Sequence, residues 1–359
     1  MERIYLDWNA TAPPLPDVID AVARAANENW GNPQSVHAHG RAARNIVEDA
    51  RGAMAELAGA DPRDVIFTGG GTEANNLACA TWLRGGGCLL TSRLEHPSIT
   101  KLSERFETRW IRILADGRID LAHLEDELAK GGVACVAVQA VNQETGVLQP
   151  VRDAIRLAHR AGVKIHVDAV QAWGKIEETG QEADSRSLAA HKLRGPKGIG
   201  ALILAPYAKV DPIVAGGGQE RGMRPGTVDA ALCAGLAVCV RHAMTGPRRY
   251  EAVRLLRDDL EKALGGSVNG TAPRAPHILS MAFEGWSGPE LVAALDLEGV
   301  SISSGSACSA GTMEPPTVVA AMLGEARARC SVRISLGETT TRGEIERTKI
   351  AFAKVLERA

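Results

Sequence analysis

Between residue 36 and about residue 205, stretches of helical periodicity alternate with short apolar runs. Over residues 41–58, apolar side chains such as Ile46 and Met54 recur at helical spacing, and charged residues lie on the other side, which predicts an amphipathic helix. The apolar runs show no alternation of polar and apolar positions, as is typical of strands buried on both faces of a sheet. They cover residues 65–68, 133–138, 163–167 and 201–204.

The runs at 133–138 and 163–167 are separated by one helix-length stretch, residues 150–162. This spacing is typical of a helical crossover between two parallel strands. We therefore expect an α/β fold with a mostly parallel central sheet.

After about residue 240 the pattern changes to a long charged helix, a strand near residues 277–283 and a further helix from Pro289. This break predicts two domains. The larger would span residues 15–240, and a smaller α+β domain would combine residues 1–14 with residues 241–359.

Composition narrows the function classes. The 359 residues include 41 Lys and Arg against 43 Asp and Glu, a net charge of −2, so no basic excess points to direct nucleic-acid binding. We expect no signal peptide, because the first residues contain no apolar run followed by a cleavage site. We expect no membrane span, because no run of about 18 apolar residues occurs, and we expect a cytoplasmic protein. The seven cysteines are irregularly spaced and form no C-x-x-C pair, which argues against a disulfide framework and a zinc ribbon.

Three polar segments follow predicted strands, where ligands bind in such sheets. The first, GGGTEANN at 69–76, combines glycines with a helix start whose free N–H groups suit a small phosphate, although an ordinary strand–turn–helix is as probable on the residues alone. The second is Asp168, which closes an apolar strand and would either meet a protonated ring nitrogen or cap a nearby helix. The third contains Lys192, 24 positions later, a candidate for a Schiff base that would otherwise be an ordinary surface lysine. Together the three indicate a pyridoxal phosphate site.

The chain resembles the cysteine desulfurases of the NifS/IscS type, which are class V aminotransferases with the fold-type-I pyridoxal phosphate architecture. The resemblance covers nearly the whole chain. Its motifs are YLDWNATAPP at 5–14, GNPQSVH at 31–37, GGGTEANN at 69–76, EHPSI at 95–99, NQETG at 142–146, HVDAVQ at 166–171, HKLRGPKGIGAL at 191–202, GGGQERGMRPGT at 216–227, SSGSACSAG at 303–311 and VRISLG at 332–337.

The resemblance implies roles for individual residues. Lys192 would bind the cofactor covalently, His96 would stack on its ring and transfer protons, and Cys308 would accept sulfur from L-cysteine. Asn32 and Arg333 would hold the substrate carboxylate. The cofactor site would comprise Gly71, Thr72, His96, Asn142, Gln143, Asp168, Gln171, Ala189, His191, Lys192 and Thr227.

Within that site, Gly71, Thr72 and His191 would bind the phosphate and Asp168 would hold the ring nitrogen's proton. Gln171, with Asn142 and Gln143, would form hydrogen bonds near the ring hydroxyl. Thr227 would reach the phosphate of the partner subunit, which implies a homodimer. Ala189 stands where the family usually has serine, so one phosphate hydrogen bond would be missing.

The family's activity is removal of sulfur from L-cysteine, giving L-alanine and a persulfide on the acceptor cysteine. A sulfur-acceptor protein, such as an iron–sulfur scaffold or a tRNA thiolase, would be the partner. We expect no resident metal, with transient iron–sulfur ligation by Cys308 as an option. The alternatives are a related lyase or aminotransferase with the same cofactor and a non-catalytic sulfur-relay or scaffold protein.

Overall fold

The computed structural model describes residues 3–177, 179–206, 208–305 and 315–357. In these ranges a seven-stranded sheet forms the centre of the larger part of the chain, with strand order β2-β8-β7-β6-β5-β3-β4. Its strands are β2 (Val65–Thr68), β3 (Cys88–Thr91), β4 (Thr108–Trp110), β5 (Val133–Gln139), β6 (Lys164–Asp168), β7 (Ser185–Ala189) and β8 (Gly200–Leu204).

Strand β8 alone runs against the other strands of this sheet in the described part of the chain. It pairs antiparallel with both β2 and β7, whereas the pairings among β3, β4, β5, β6 and β7 are parallel. Because the six remaining strands share one direction, their carboxyl ends lie at the same edge of the sheet, where ligands bind in α/β proteins.

Helices pack on both faces of this sheet and bury its apolar side chains. The helices of this part are α1 (Pro16–Glu28), α2 (Ala38–Ala58), α3 (Gly71–Leu83), α4 (Pro97–Thr100), α5 (Leu121–Ala129), α6 (Val151–Arg160) and α7 (Ala230–Ala243). Helix α2 turns Val47, Ala50 and Met54 into the core, as its periodicity predicts.

A second, smaller core lies around an antiparallel sheet of order β12-β10-β9. Ile4 and Leu6 belong to this core, because β1 pairs in parallel with β11. The elements are β1 (Ile4–Tyr5), α8 (Gly246–Leu264), β9 (Ser267–Val268), β10 (Ile278–Ala282), α9 (Gly288–Leu297), β11 (Val300–Ser301), α10 (Thr317–Leu323), α11 (Glu325–Arg329), β12 (Ser331–Ser335) and α12 (Arg342–Leu356).

The expected α/β class with a mostly parallel sheet is confirmed, whereas the exact domain boundaries at residues 14/15 and 240/241 stay a prediction. Five cysteines of the described part are buried, but Cys330 is only partly buried. Among the described residues, no helix is both long enough and apolar enough to cross a membrane.

Candidate active site

A cleft of about 220 Å³ opens at the carboxyl edge of the central sheet. The segments that follow β2, β3, β5, β6 and β7 each contribute side chains to it, and β12 contributes Arg333. The lining residues are Asn9, Ala10, Gly71, Thr72, Asn75, His96, Ser98, Gln139, Val141, Gln143, Asp168, Val170, Gln171, Ala189, His191, Lys192 and Arg333. Most residues of the predicted cofactor site therefore meet in one place.

The first side of the cleft is the N-terminus of α3. Gly70 precedes this helix with φ 147°, a backbone conformation that favours glycine. A Cβ added at Gly71 would lie 2.6 Å from Cγ2 of Val170 and 3.7 Å from Cβ of Ala189. The first turn therefore tolerates no side chain at Gly71. Gly71 and Thr72 line the cleft, and a helix start of this kind suits a bound phosphate.

Asp168, at the end of β6, is held by hydrogen bonds from neutral groups. One carboxylate oxygen accepts from Nδ2 of Asn75 at 2.7 Å, and the other accepts from the Val170 amide at 3.0 Å. The Asn75 side chain is in turn oriented by the ring of His166, whose Nε2 lies 2.8 Å from Oδ1 of Asn75. Burial lowers the pKa of His166 to about 4, so this ring is neutral at neutral pH. The arrangement fixes the direction in which the carboxylate faces.

Lys192 lies on the short 3-10 helix Ala190–Leu193 that follows β7. Its Nζ donates hydrogen bonds to the backbone carbonyl oxygens of Asn9 and Ala10, the latter at 2.9 Å. The neighbouring His191 contacts the hydroxyl of Thr11 through Nδ1 at 3.1 Å. The N-terminal segment thus positions Lys192, the residue that the sequence predicts to bind the cofactor.

His96 caps helix α4 and faces the same cleft. Its Nδ1 accepts a hydrogen bond from the Ser98 amide at 3.1 Å, which orients the ring. Burial lowers the pKa of His96, and the charge of Lys192 lowers it further, whereas the charge of Asp168 raises it. Both the carboxylate of Asp168 and the amine of Lys192 are therefore near enough to His96 to affect its protonation.

Arg333 and Gln143 supply hydrogen-bond donors at the substrate side of the cleft. Arg333 donates to Oδ1 of Asp7 at 2.7 Å and to the carbonyl oxygen of Gln143 at 3.1 Å. Its Nε and the Nε2 of Gln143 are buried and have no hydrogen-bond partner among the described residues. Since orphaned buried donors are costly, both suit an anionic ligand that the cleft would enclose.

Three predicted residues do not line this cleft. The Asn142 side chain shapes its own turn, where Oδ1 accepts from the amides of Glu144 and Thr145 at 2.9 and 2.8 Å. Asn32 and Thr227 lie together at a separate cavity on the surface. Cys308 lies outside the described residues.

Several residues at or behind the cleft have no role in the sequence-based assignment. Asn9, Asn75, Lys175 and His277 are among them. Asn9 and Asn75 occur inside the YLDWNATAPP and GGGTEANN motifs, which could have drawn attention to them. No local signal marks Lys175 or His277, because their proximity to the cleft depends on tertiary packing.

The residues present fit pyridoxal phosphate. A glycine-lined helix start suits its phosphate, an oriented carboxylate suits its ring nitrogen, and an amine suits its aldehyde. Lys192 would hold the cofactor, Asp168 would face the ring nitrogen, and Gly71 with Thr72 would bind the phosphate.

The chain is similar to known proteins over nearly its whole length. Residues 4–348 match the family described as aminotransferase class-V. The chain is 38% identical to a cysteine desulfurase of Cereibacter sphaeroides, over 97% of this chain and 94% of that protein. It is 39% identical to a cysteine desulfurase of Frankia sp., over 99% of this chain and 91% of that protein. A solved NifS-like protein superimposes with a TM-score of 0.92 at 28% identity, over 99% of this chain and 100% of that one.

Proposed function

The chain belongs to the aminotransferase class-V family and, within it, to the cysteine desulfurases; we propose that it removes sulfur from L-cysteine with pyridoxal phosphate. The products would be L-alanine and a persulfide on Cys308. The observation that carries the proposal is the meeting of Lys192, Asp168 and the helix start at Gly71 in one cleft. Three groups from three strand ends match the amine, ring-nitrogen and phosphate requirements of one cofactor.

When bound, pyridoxal phosphate supplies the electron sink that makes loss of the substrate's α-proton feasible. Lys192 holds the cofactor and takes up that proton once the substrate has displaced it. His96, neutral because burial and the Lys192 charge lower its pKa, is suited to stack on the ring and to accept a proton. Arg333 binds the substrate carboxylate with its planar guanidinium, whereas Asn32 of the same chain lies at a separate surface cavity.

The sulfur transfer requires a nucleophile, the role proposed for the Cys308 thiolate. Its sulfur attacks the substrate sulfur, so that an S–S bond forms and the substrate's C–S bond breaks. The electron pair of the C–S bond stays with the substrate's β-carbon, which takes a proton to complete L-alanine. The enzyme thiol and cysteine are thereby converted to enzyme persulfide and alanine, and no external oxidant or reductant is needed.

The persulfide would pass to an acceptor protein, such as an iron–sulfur scaffold or a tRNA thiolase. We further propose a homodimer, in which Thr227 completes the phosphate site of the partner, and a cytoplasmic location. A solved relative named SspA, in complex with cysteine, has a TM-score of 0.83 to this chain at 29% identity, over 94% of this chain and 100% of that one.

The test is an absorbance spectrum of the purified protein before and after addition of L-cysteine, with alanine assayed in parallel. We expect a cofactor band that shifts on addition and alanine that forms. Cys308→Ala should keep the cofactor band but lose persulfide and alanine formation, because the nucleophile is missing.

Cys330→Ala is the matched control, since Cys330 is the one cysteine of the described part that is not fully buried. It should retain activity. A protein that binds the cofactor but makes no alanine from L-cysteine, or whose activity survives Cys308→Ala, would instead be a related lyase or aminotransferase. A protein without any cofactor would favour a scaffold.

A further inference from the structure

Lys175 is a buried lysine behind the cleft, and the proposed chemistry gives it no role. Its exposed fraction is 4%, and its Nζ donates a hydrogen bond to Oε1 of Gln171 at 2.9 Å. Burial of an ammonium group is unfavourable unless hydrogen bonds offset the lost hydration. Here burial, followed by the nearby charge of Lys192, lowers the pKa of Lys175 to about 7. Burial of a neutral apolar side chain at this position would cost less free energy than burial of an amine, so we expect the lysine to have a function there.

The bond from Lys175 decides which end of the Gln171 amide faces the cleft. Nζ of Lys175 donates to Oε1 of Gln171, so this oxygen of the amide faces the lysine. The Nε2 atom is left on the other side, where it donates to the carbonyl oxygen of Asn9 at 3.1 Å. That oxygen also accepts from Nζ of Lys192. The Gln171 donor and the Lys192 amine therefore meet at one oxygen.

The surroundings of Lys175 are consistent with a polar support behind the cleft. A cavity of about 10 Å³ lies beside it and is also lined by Lys192, which is room for roughly one water molecule. Other titratable or charged groups also line this cavity or interact with Lys175 through their charge. They are His191, Arg194, His242, Arg249, Tyr250, His277 and Glu338.

We propose that Lys175 is a positioning residue that fixes the Gln171 side chain so that its amide nitrogen, and not its oxygen, faces the ring oxygen of the cofactor. This inference rests on the proposed function, because it concerns the orientation of a residue towards bound pyridoxal phosphate. Without Lys175, Oε1 loses the donor described for it, and the bond from Nε2 to the Asn9 carbonyl oxygen remains as the contact that opposes a half rotation of the amide. We expect a fraction of the molecules to adopt the rotated form. The carbonyl oxygen would then face an acceptor oxygen, which is repulsive.

The experiment compares the affinities of the full-length apo-protein for pyridoxal 5′-phosphate and for its 3-deoxy analogue, which lacks the ring oxygen. Wild type should prefer the natural cofactor. Lys175→Met should reduce that preference by about tenfold, the size expected for one hydrogen bond to a charged group. In a Gln171→Ala background the same substitution should change the preference no further, because the residue it orients is absent.

Lys197→Met is the matched control: Lys197 is exposed, and its charge also acts on His191. It should leave the preference unchanged, and Lys175→Gln serves if the methionine variant does not fold. Equal preferences in Lys175→Met and wild type, an equal loss in Lys197→Met, or a further loss in the Gln171→Ala background would each overturn the inference. A wild-type protein that binds no pyridoxal phosphate would overturn the proposed function as well.

Discussion

Two histidines, one in the cleft and one behind it, owe their charge state to burial. Burial and the adjacent charge of Lys192 lower the pKa of His191 to about 4. Burial also lowers the pKa of His166 to about 4. Both rings are therefore neutral at neutral pH and can accept as well as donate hydrogen bonds. A neutral His191 beside the proposed phosphate site would contribute a hydrogen bond and not a charge.

The missing hydroxyl at Ala189 leads to a prediction about cofactor affinity. Ala189 lines the cleft and its Cβ lies 3.7 Å from a Cβ placed at Gly71, so a hydroxyl here would reach the proposed phosphate site. Ala189→Ser should tighten binding of pyridoxal phosphate by roughly 2- to 12-fold, the equivalent of one added hydrogen bond of about 0.5–1.5 kcal/mol. Titration of the apo-protein with the cofactor measures the change.

Pyridoxal without its phosphate provides the control for Ala189→Ser. Its affinity should not change, because the added hydroxyl would have no phosphate to contact. A variant that binds both compounds more tightly would contradict the assignment of Ala189 to the phosphate site.

At the scale of elements, Glu144 connects the turn after β5 to the first turn of α10. Its Oε2 accepts hydrogen bonds from the amides of Val318 and Val319 at 3.1 and 3.4 Å. The carboxyl group therefore caps this helix from a distant part of the chain. Burial nevertheless raises the pKa of Glu144 from its ordinary value of 4.5 to about 7, since desolvation outweighs the hydrogen bonds.

This cap predicts a pH-dependent stability. A carboxyl group whose pKa is raised in the folded state binds more protons there than in the unfolded state, so stability falls as the pH rises from about 4.5 to about 7. Glu144→Gln should remove that contribution, and wild type should lose stability relative to the variant between pH 5 and pH 8. Chemical denaturation at several pH values measures both free energies of unfolding.

A second substitution separates capping from titration. Glu144→Ala should lower the free energy of unfolding by about 1–2 kcal/mol at pH 5, because two helix amides lose their acceptor. Parallel pH profiles for wild type and Glu144→Gln would show that the carboxyl group titrates normally and would contradict the prediction.

At the scale of the whole molecule, the positions of Asn32 and Thr227 matter most. Both line one surface cavity and neither lines the central cleft of its own chain. A nearby tryptophan, Trp30, is 69% exposed, which is unusual for so large an apolar side chain. A second copy that brings Thr227 to the cleft of its partner would account for this position.

Mixed dimers test the arrangement. Lys192→Ala subunits, which lack the cofactor lysine and should be inactive, and Thr227→Ala subunits, which should be weakly active at low cofactor concentration, are dissociated together and reassembled. If Thr227 serves the partner, each heterodimer contains one site with both residues intact, and random reassembly restores about one quarter of all sites. Cysteine desulfurase activity at low cofactor concentration measures the recovery. No recovery on mixing would place Thr227 at the site of its own chain.

The sequence predicted much of the fold because the relevant signals are local. The apolar run at 133–138 lies within β5 and the helical pattern at 41–58 lies within α2. The short strand β4 has no comparable signal, since its three residues are all partly exposed, and the reversed direction of β8 is decided by its pairing partners. The spacing of hydrophobic residues identifies a helix or a strand. The direction and the order of strands in a sheet depend instead on contacts between residues that are far apart in the chain.

The sequence by itself determined the family, the fold class and the identity of Lys192, Asp168 and Gly71 as site residues, because each occurs in a motif whose chemistry is readable from its neighbours. Only the tertiary structure decided that Asn75 orients Asp168 and that Lys175 reaches Gln171. It also separated Asn32 and Thr227 from the cleft of their own chain. Such relations join residues from different elements, and burial sets the charge states on which they depend. Both arise only when the chain has packed.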